Sequence, residues 1–376
     1  MKLNKYLNVI ENSTSLFLVK IIDLGLTIWL IPFLIFKVGI TNYGVYAFSL
    51  SIIIIFINII NYGFDLDIVR EISQNKKNAI RLSKIVSKVL SIKLFLFVAL
   101  VSFYSICILL IPKLYLNKEL YFYSLLILFS HLFSLRWFFL GIEKMKYLFL
   151  IALNKTILFI LIVYFIVNQK GDFIYIPLAE GIASSVVFII TFFIVLDEFK
   201  LKLKLISLKE VQLYLKGSFS SFVNLIIPST FNNLVVFLVG VLGFPTSVSI
   251  TQIGVKIVNA FSTINSILTK VFYPVINRTK NYRKHFLILI LIGVFLSFLM
   301  FITSSLVVRF WLNNNDEEIT LRVIKVVKLM SLIPFLIAVI SSFGINGLLI
   351  YFKDKIFSFI NVTSLLVLVL TSFYLI

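Results

Sequence analysis

Runs of about twenty apolar residues recur along the whole chain, and no other feature of the sequence restricts the fold as much. A helix needs roughly 20 such residues to cross the hydrocarbon core of a bilayer. Runs of that size lie at 13–36, 41–62, 89–111, 120–140, 148–167, 173–196, 218–240, 247–275, 286–308, 323–343 and 356–376. The spacing predicts an all-α, polytopic transmembrane helix bundle of about eleven spans. Composition points the same way: 60% of the 376 residues are apolar, 14% are charged, and the mean hydropathy is +1.08. Soluble domains are about 45–50% apolar and about 25% charged.

The formal charge of +19 is distributed in a way that excludes nucleic-acid binding as its purpose. Lys and Arg lie in short segments between apolar runs, with no basic domain to hold a duplex. With the N-terminus in the cytoplasm, the inside segments are 1–12, 65–93, 141–147, 197–217, 277–285 and 346–355, carrying roughly 22 Lys and Arg. The outside loops carry roughly six, and the segment 309–322 holds the acidic run Asp316, Glu317 and Glu318. Lys and Arg favour cytoplasmic loops, so this bias sets the expected orientation.

Two polar stretches organise the chain. Residues 65–93 have Ile, Leu and Val at helical spacing with Lys and Arg between them, which predicts an amphipathic helix on the cytoplasmic face running into the third span. Residues 197–217 have similar character, with Lys200, Lys202 and Lys204 alternating with Leu. This second stretch is expected to link an N-terminal lobe of six spans, 1–196, to a C-terminal lobe of five, 218–376. Span one carries Pro32 and is followed by Val38–Gly39; span seven carries Pro228 and is followed by Leu242–Gly243. Proline-interrupted helices at matching places in two halves point to pseudo-symmetric lobes around a central substrate cavity.

Ionisable residues inside apolar runs are the candidate functional groups. Lys20 and Asp23 lie in span one, Lys155 in span five, Glu180 in span six and Lys256 in span eight. A charge at a helix centre costs roughly 2.5–3.5 kcal/mol on insertion scales and usually faces a wet cavity or a partner. Lys20 and Asp23, three residues apart, are placed to neutralise each other. Gln252, Lys256 and Asn259 share one helical face and form a polar stripe suited to lining a lumen. Arg136, with Lys270, Lys325 and Lys328, is nearer a span end, where snorkelling and anchoring are expected. Lys20, Lys155, Lys256 and Arg136 together make a cationic lumen suited to an anionic substrate. Asp23 and Glu180 are the candidates for carrying coupling protons.

Metal and disulfide chemistry find no support in the sequence. Cys107 stands alone in an apolar run, and His131 and His285 show no ligand spacing. No cofactor is expected. The first apolar run, 13–36, ends without a small-residue cleavage site and is expected to stay as a span.

Four short elements carry a family resemblance: IPFLIFKVGITNYGVYAFSLS (31–51), NYGFDLDIVREIS (61–73), RWFFLGIEKMKY (136–147) and VFYPVINR (271–278). In order and spacing the chain resembles Wzx-type O-antigen flippases, within the polysaccharide exporters related to multidrug (MATE-type) antiporters. The resemblance covers most of residues 1–280 and is weakest over 281–376. It implies a MATE-like pair of lobes in a bacterial inner membrane and a substrate of undecaprenyl pyrophosphate carrying an oligosaccharide repeat. It also implies membrane lipids as neighbours, and a polysaccharide polymerase and chain-length regulator as partners. The family usually has twelve spans, and this chain ends at Ile376 in or just after an eleventh. A cation-coupled drug antiporter would favour acidic and aromatic lumen residues, whereas the deep charges here are mostly basic. A membrane polymerase or glycosyltransferase generally needs a sizeable extramembrane loop, and no outside loop exceeds about 14 residues. A structural scaffold would leave the charges within the spans unexplained.

Overall fold

The computed structural model describes residues 2–65, 67–76, 78–279, 282–312, 316–348 and 354–375. The chain is all α. The first half comprises α1 (Lys2–Val38), α2 (Ile40–Asn61), α3 (Asp67–Asn75), α4 (Ala79–Leu110), α5 (Pro112–Tyr115), α6 (Lys118–Ser130), α7 (Arg136–Ile142) and α8 (Lys146–Ile166). The second comprises α9 (Ile176–Glu198), α10 (Leu208–Gly217), α11 (Phe219–Leu242), α12 (Pro245–Thr279), α13 (Tyr282–Leu312), α14 (Glu317–Met330), α15 (Ile333–Ile340) and α16 (Asp354–Leu375). Among the described residues, seven helical stretches are long and apolar enough to cross a membrane, and two shorter apolar helices lie at Asn233–Leu242 and Phe359–Ser372. The protein is a multi-pass membrane bundle.

The helix surfaces explain why lipid is the solvent. Along α13, Leu287, Leu291, Phe295, Phe298, Ile302 and Phe310 are exposed, whereas Leu289, Leu296, Met300 and Val308 are buried. The exposed set recurs at three- and four-residue steps, so one whole face of an apolar helix lacks protein cover. On α4 the same holds for Phe95, Val98, Phe103, Ile106 and Leu110. Exposed apolar surface on this scale is stable only against acyl chains.

Three expected elements are broken where the sequence reads as continuous. The fourth apolar run, 120–140, is not one helix: α6 stops at Ser130, and α7 begins at Arg136. The carbonyls freed at this break are met by Lys93 of α4, whose ammonium donates to His131 O at 3.0 Å and Ser134 O at 3.1 Å. The amphipathic stretch 65–93 is likewise two helices, since α3 ends at Asn75 and Asn78 caps α4 by accepting from Arg81 N–H. Asn is a strong N-cap because its side-chain oxygen takes an orphan amide. In the tenth run, α14 gives way to α15 at Pro334, which cannot donate to the preceding turn. A wide, π-helical stretch, Ser341–Leu348, follows.

Contacts group the chain into two units. One comprises Met1–Leu26 with Phe48–Leu234, and the other Thr27–Ala47 with Val235–Ile376. The expected lobes, 1–196 and 218–376, are offset from this grouping. Residues 27–47 belong to the second unit, and 197–234 to the first. The spans carrying Pro32 and Pro228 are thus each shared between units.

In the first unit one apolar cluster lies beside the polar ends of the helices. Phe64, Ile68 and Ile72 are fully buried with Trp137, Phe138 and Phe139, and Val86, Val89, Val195 and Val211 complete the cluster. Contact is close because α7 carries Gly141: a Cβ there would lie 2.6 Å from Ile72 Cγ2. Ion pairs frame this apolar contact, Arg136 with Asp65 at 3.2 Å, Lys88 with Glu71 at 2.6 Å and Lys76 with Glu143 at 2.8 Å. Asn12 of α1 ties into the α7–α8 turn, donating to Glu143 O at 3.0 Å and accepting from Met145 N–H at 3.1 Å.

In the second unit, Gly39 makes the turn from α1 to α2 at φ +83°, a conformation that suits glycine. Gly44 then lets α2 meet the start of α12, where an added Cβ would fall 1.9 Å from Pro245 O.

Gly141→Val should destabilise the purified protein by ~1–3 kcal/mol, the usual cost of overpacking. Ile72→Ala in the same chain should recover part of that loss in a thermal melt. Equal melting of Gly141→Val and the parent would refute the close contact.

Candidate functional site

Four of the charged groups within spans lie in the first unit, as two pairs. On α1, Lys20 Nζ is 3.9 Å from Asp23 Oδ2, and both side chains are more than half exposed. Lys155 on α8 sits 3.7 Å from Glu180 Oε1 on α9, and these side chains are only 26% and 15% exposed. Glu180 is held there by the packing of α9 on α6. Gly181, the next residue, would place a Cβ 2.7 Å from Leu126 Cβ. One turn beyond Glu180, Ser184 is fully buried with no hydrogen-bond partner for its hydroxyl among the described residues.

Two groups outside the expected set lie nearby, His131 beside the Lys155–Glu180 pair and Lys93 beside His131. His131 is within electrostatic reach of Lys155 and of Lys93. Its ring stands edge-on to Phe188, with centroids 5.4 Å apart. Lys93 is 1% exposed and spends its ammonium on the α6–α7 break. Sequence reasoning counted Lys93 with the loop cations. The signal that could have found it is periodicity: with Val86 and Val89 it continues one apolar face of α4 at three- and four-residue steps.

Arg136 lies apart from these groups. Because α6 ends early, Arg136 falls on the first turn of α7, 63% exposed and paired with Asp65 across the contact with α3.

The remaining residues are in the second unit. Gln252, Lys256 and Asn259 project from one side of α12; Gln252 is buried, and Lys256 and Asn259 are half-buried. At ~100° per residue this stripe is turned roughly 140–200° from Gly254. Gly254 packs α12 on Val326 and Met330 of α14, and Asn265, on the same side, donates to Pro334 O at 3.0 Å. The stripe begins near Ser249, whose hydroxyl donates to Ile40 O at the α1–α2 turn. Lys325 and Lys328 are exposed on α14, with Lys328 over the Phe301 ring. The side chains of Lys270 and Pro228, and most of those in the element at 271–278, lie outside the described residues.

The arrangement is therefore two compensated ion pairs in one unit and a polar stripe bearing a single lysine in the other. A carboxylate facing the ammonium of Lys20 or Lys155 weakens its attraction for an outside anion.

A model of the polysaccharide biosynthesis protein family matches residues 9–280. The chain belongs to that family. The matched stretch contains all four motif elements and ends before α13. The chain is also 26% identical over 362 residues to the "Putative O-antigen transporter" of Escherichia coli (strain K12), covering 94% of this chain and 84% of that protein. Within the family frame, three of the motif elements have structural explanations. Gly39 and Gly44 make the α1–α2 turn and its contact with Pro245, while the elements at 61–73 and 136–147 meet at the Ile72–Gly141 contact.

The Lys155–Glu180 pair supports a double-mutant test. Lys155→Met and Glu180→Gln should each lower the yield of folded protein several-fold, because each leaves one charge uncompensated in a span. The double variant should recover towards the parent, with a coupling of about 1 kcal/mol in the melts. Additive losses would show that the two groups act separately.

Proposed function

We propose that this membrane protein is a flippase for lipid-linked oligosaccharides. Its substrate would be undecaprenyl-pyrophosphate-linked repeat units of the O-antigen or capsule type. They would pass from the cytoplasmic to the outer leaflet of a bacterial inner membrane, with the N-terminus of the protein in the cytoplasm. The observation that carries this reading is the family match across residues 9–280, and the similarity to an O-antigen transporter supports it.

The physical demands of the task fit polar groups held within apolar helices. A saccharide head cannot enter hydrocarbon unaided, since each hydroxyl would lose its hydrogen bonds to water. Gln252, Lys256 and Asn259 offer replacement donors and acceptors along about two turns of α12. Lys256 supplies an ammonium for the pyrophosphate. Lys20, Lys155 and Arg136 are secondary contributors in this reading, each with a carboxylate beside it. Asp23 and Glu180 are the proposed proton carriers; a proton arriving on Glu180 would break its pair with Lys155 and free that ammonium. The membrane potential also assists, because each negative charge moved outward gains roughly 2.3 kcal/mol per 100 mV. Access alternates between the two membrane faces.

A deletion strain should lack surface polysaccharide and accumulate lipid-linked repeats facing the cytoplasm, and the wild-type chain should restore both. Lys256→Ala should cut restoration about tenfold, in the range of a lost charged contact. Lys20→Ala should cut it less. Full restoration by a chain lacking both lysines would remove the cationic-lumen proposal, and normal surface polysaccharide in the deletion strain would remove the flippase reading.

A further inference from the structure

A groove of about 1090 Å³ lies at the start of α4. It is walled by α4 on one side and by the extended segment 201–206 on the other. That segment is held to the helix by an unusual ladder. The backbone amides of Lys202, Lys204 and Ile206 donate to the hydroxyls of Ser83, Ser87 and Ser91 at 3.0, 3.0 and 3.1 Å. The register works because four helical residues rise ~6.0 Å and two extended residues ~6.6 Å. Every second amide of the segment therefore finds a serine at every fourth residue of the helix.

The ladder brings two rows of cations onto one groove. Arg81, Lys84 and Lys88 come from α4, and Lys200, Lys202 and Lys204 from the extended segment. Two carboxylates share the lining, and both are engaged. Glu71 pairs with Lys88 at 2.6 Å, and Glu210 accepts from the Ser207 amide at 2.8 Å and its hydroxyl at 2.9 Å. These bonds hold the Glu210 carboxyl below the usual carboxylate range. Arg81, Lys84, Lys200 and Lys202 have no ion-pair partner among the described residues.

Lys200 adds a second observation. It sits at φ +50°, the left-handed conformation that favours glycine, where α9 ends and the segment begins. A lysine kept at a glycine position gives up local stability for its side chain.

The surroundings identify the ligand as amphiphilic. Ile80 and Leu205 line the groove and are 73% and 62% exposed, and Leu208 and Leu213 are exposed nearby. α4 has 32 residues, about 48 Å at 1.5 Å each, against a hydrocarbon core of ~30 Å. Its first turns, which carry the cations, therefore project to headgroup depth. We propose that this groove binds the phosphate headgroup of an anionic phospholipid, with Leu205, level with Ser87 and Ser91, against its acyl chains. Clustered cations just outside a span are suited to such headgroups.

The test uses the full chain in nanodiscs of phosphatidylcholine with a minor fraction of phosphatidylglycerol, and native mass spectrometry to read the lipid retained. The parent should retain phosphatidylglycerol over phosphatidylcholine, and Arg81→Gln with Lys202→Gln and Lys204→Gln should lower that preference roughly tenfold at low salt. Lys200→Gly separates binding from folding: it should keep or raise the Tm while weakening retention. Unchanged retention in both variants would overturn the proposal. So would release of the lipid by inorganic phosphate at millimolar concentration, which would mark a site for free anions. Retention is read without any saccharide, so the result stands whether or not the chain restores surface polysaccharide.

Discussion

Hydrocarbon offers a polar group no partner, and every interruption of a helix inside this bundle has to be closed by the protein itself. The break between α6 and α7 shows the constraint most clearly. Without the ammonium of Lys93, Ser134 O would lose its donor and His131 O would keep only a long bond from the Ser134 amide, and Lys93 is itself only 1% exposed. At the start of α15 the Ser297 hydroxyl likewise accepts from the first-turn amide of Phe335, and Asn265 adds a bond to Pro334 O. The same rule governs the charges, since Lys155 and Glu180 persist among apolar helices by standing opposite each other.

The short elements that mark the family serve packing more than chemistry in the described structure. Gly141 admits Ile72, Gly44 admits the carbonyl of Pro245, and Gly39 takes a turn that other residues reach only with strain. Tyr62, at the start of the second element, donates to Leu215 O at 2.8 Å and stacks on Phe222. These contacts fix where helices cross. The groups proposed to handle a charged head, Lys256 and the Lys155–Glu180 pair, lie outside the four motifs.

Polar matching by repeat length is a second device of this fold. Three serines four residues apart on α4 meet alternate amides of residues 202–206, so a segment without sheet partners has three of its five amides satisfied. The sequence shows Ser83, Ser87, Ser91 and the alternating lysines plainly, but they stand more than a hundred residues apart. Their joint meaning appears only once α9 has returned the chain to the start of α4.

Membrane class, helical content and the approximate positions of seven of the eleven expected spans were legible in the sequence, because hydrophobic length and period are local properties. The pairing of Lys20 with Asp23 was also legible, being set by one turn of one helix. Folding alone decided that 120–140 is two helices, that Arg136 faces Asp65 and that Lys93 is an interior residue. It also decided that residues 27–47 belong with the second unit. Each of these depends on a partner distant in the chain. A helix break is stable only when a distant donor arrives to satisfy it, and hydropathy along the chain cannot register that arrival.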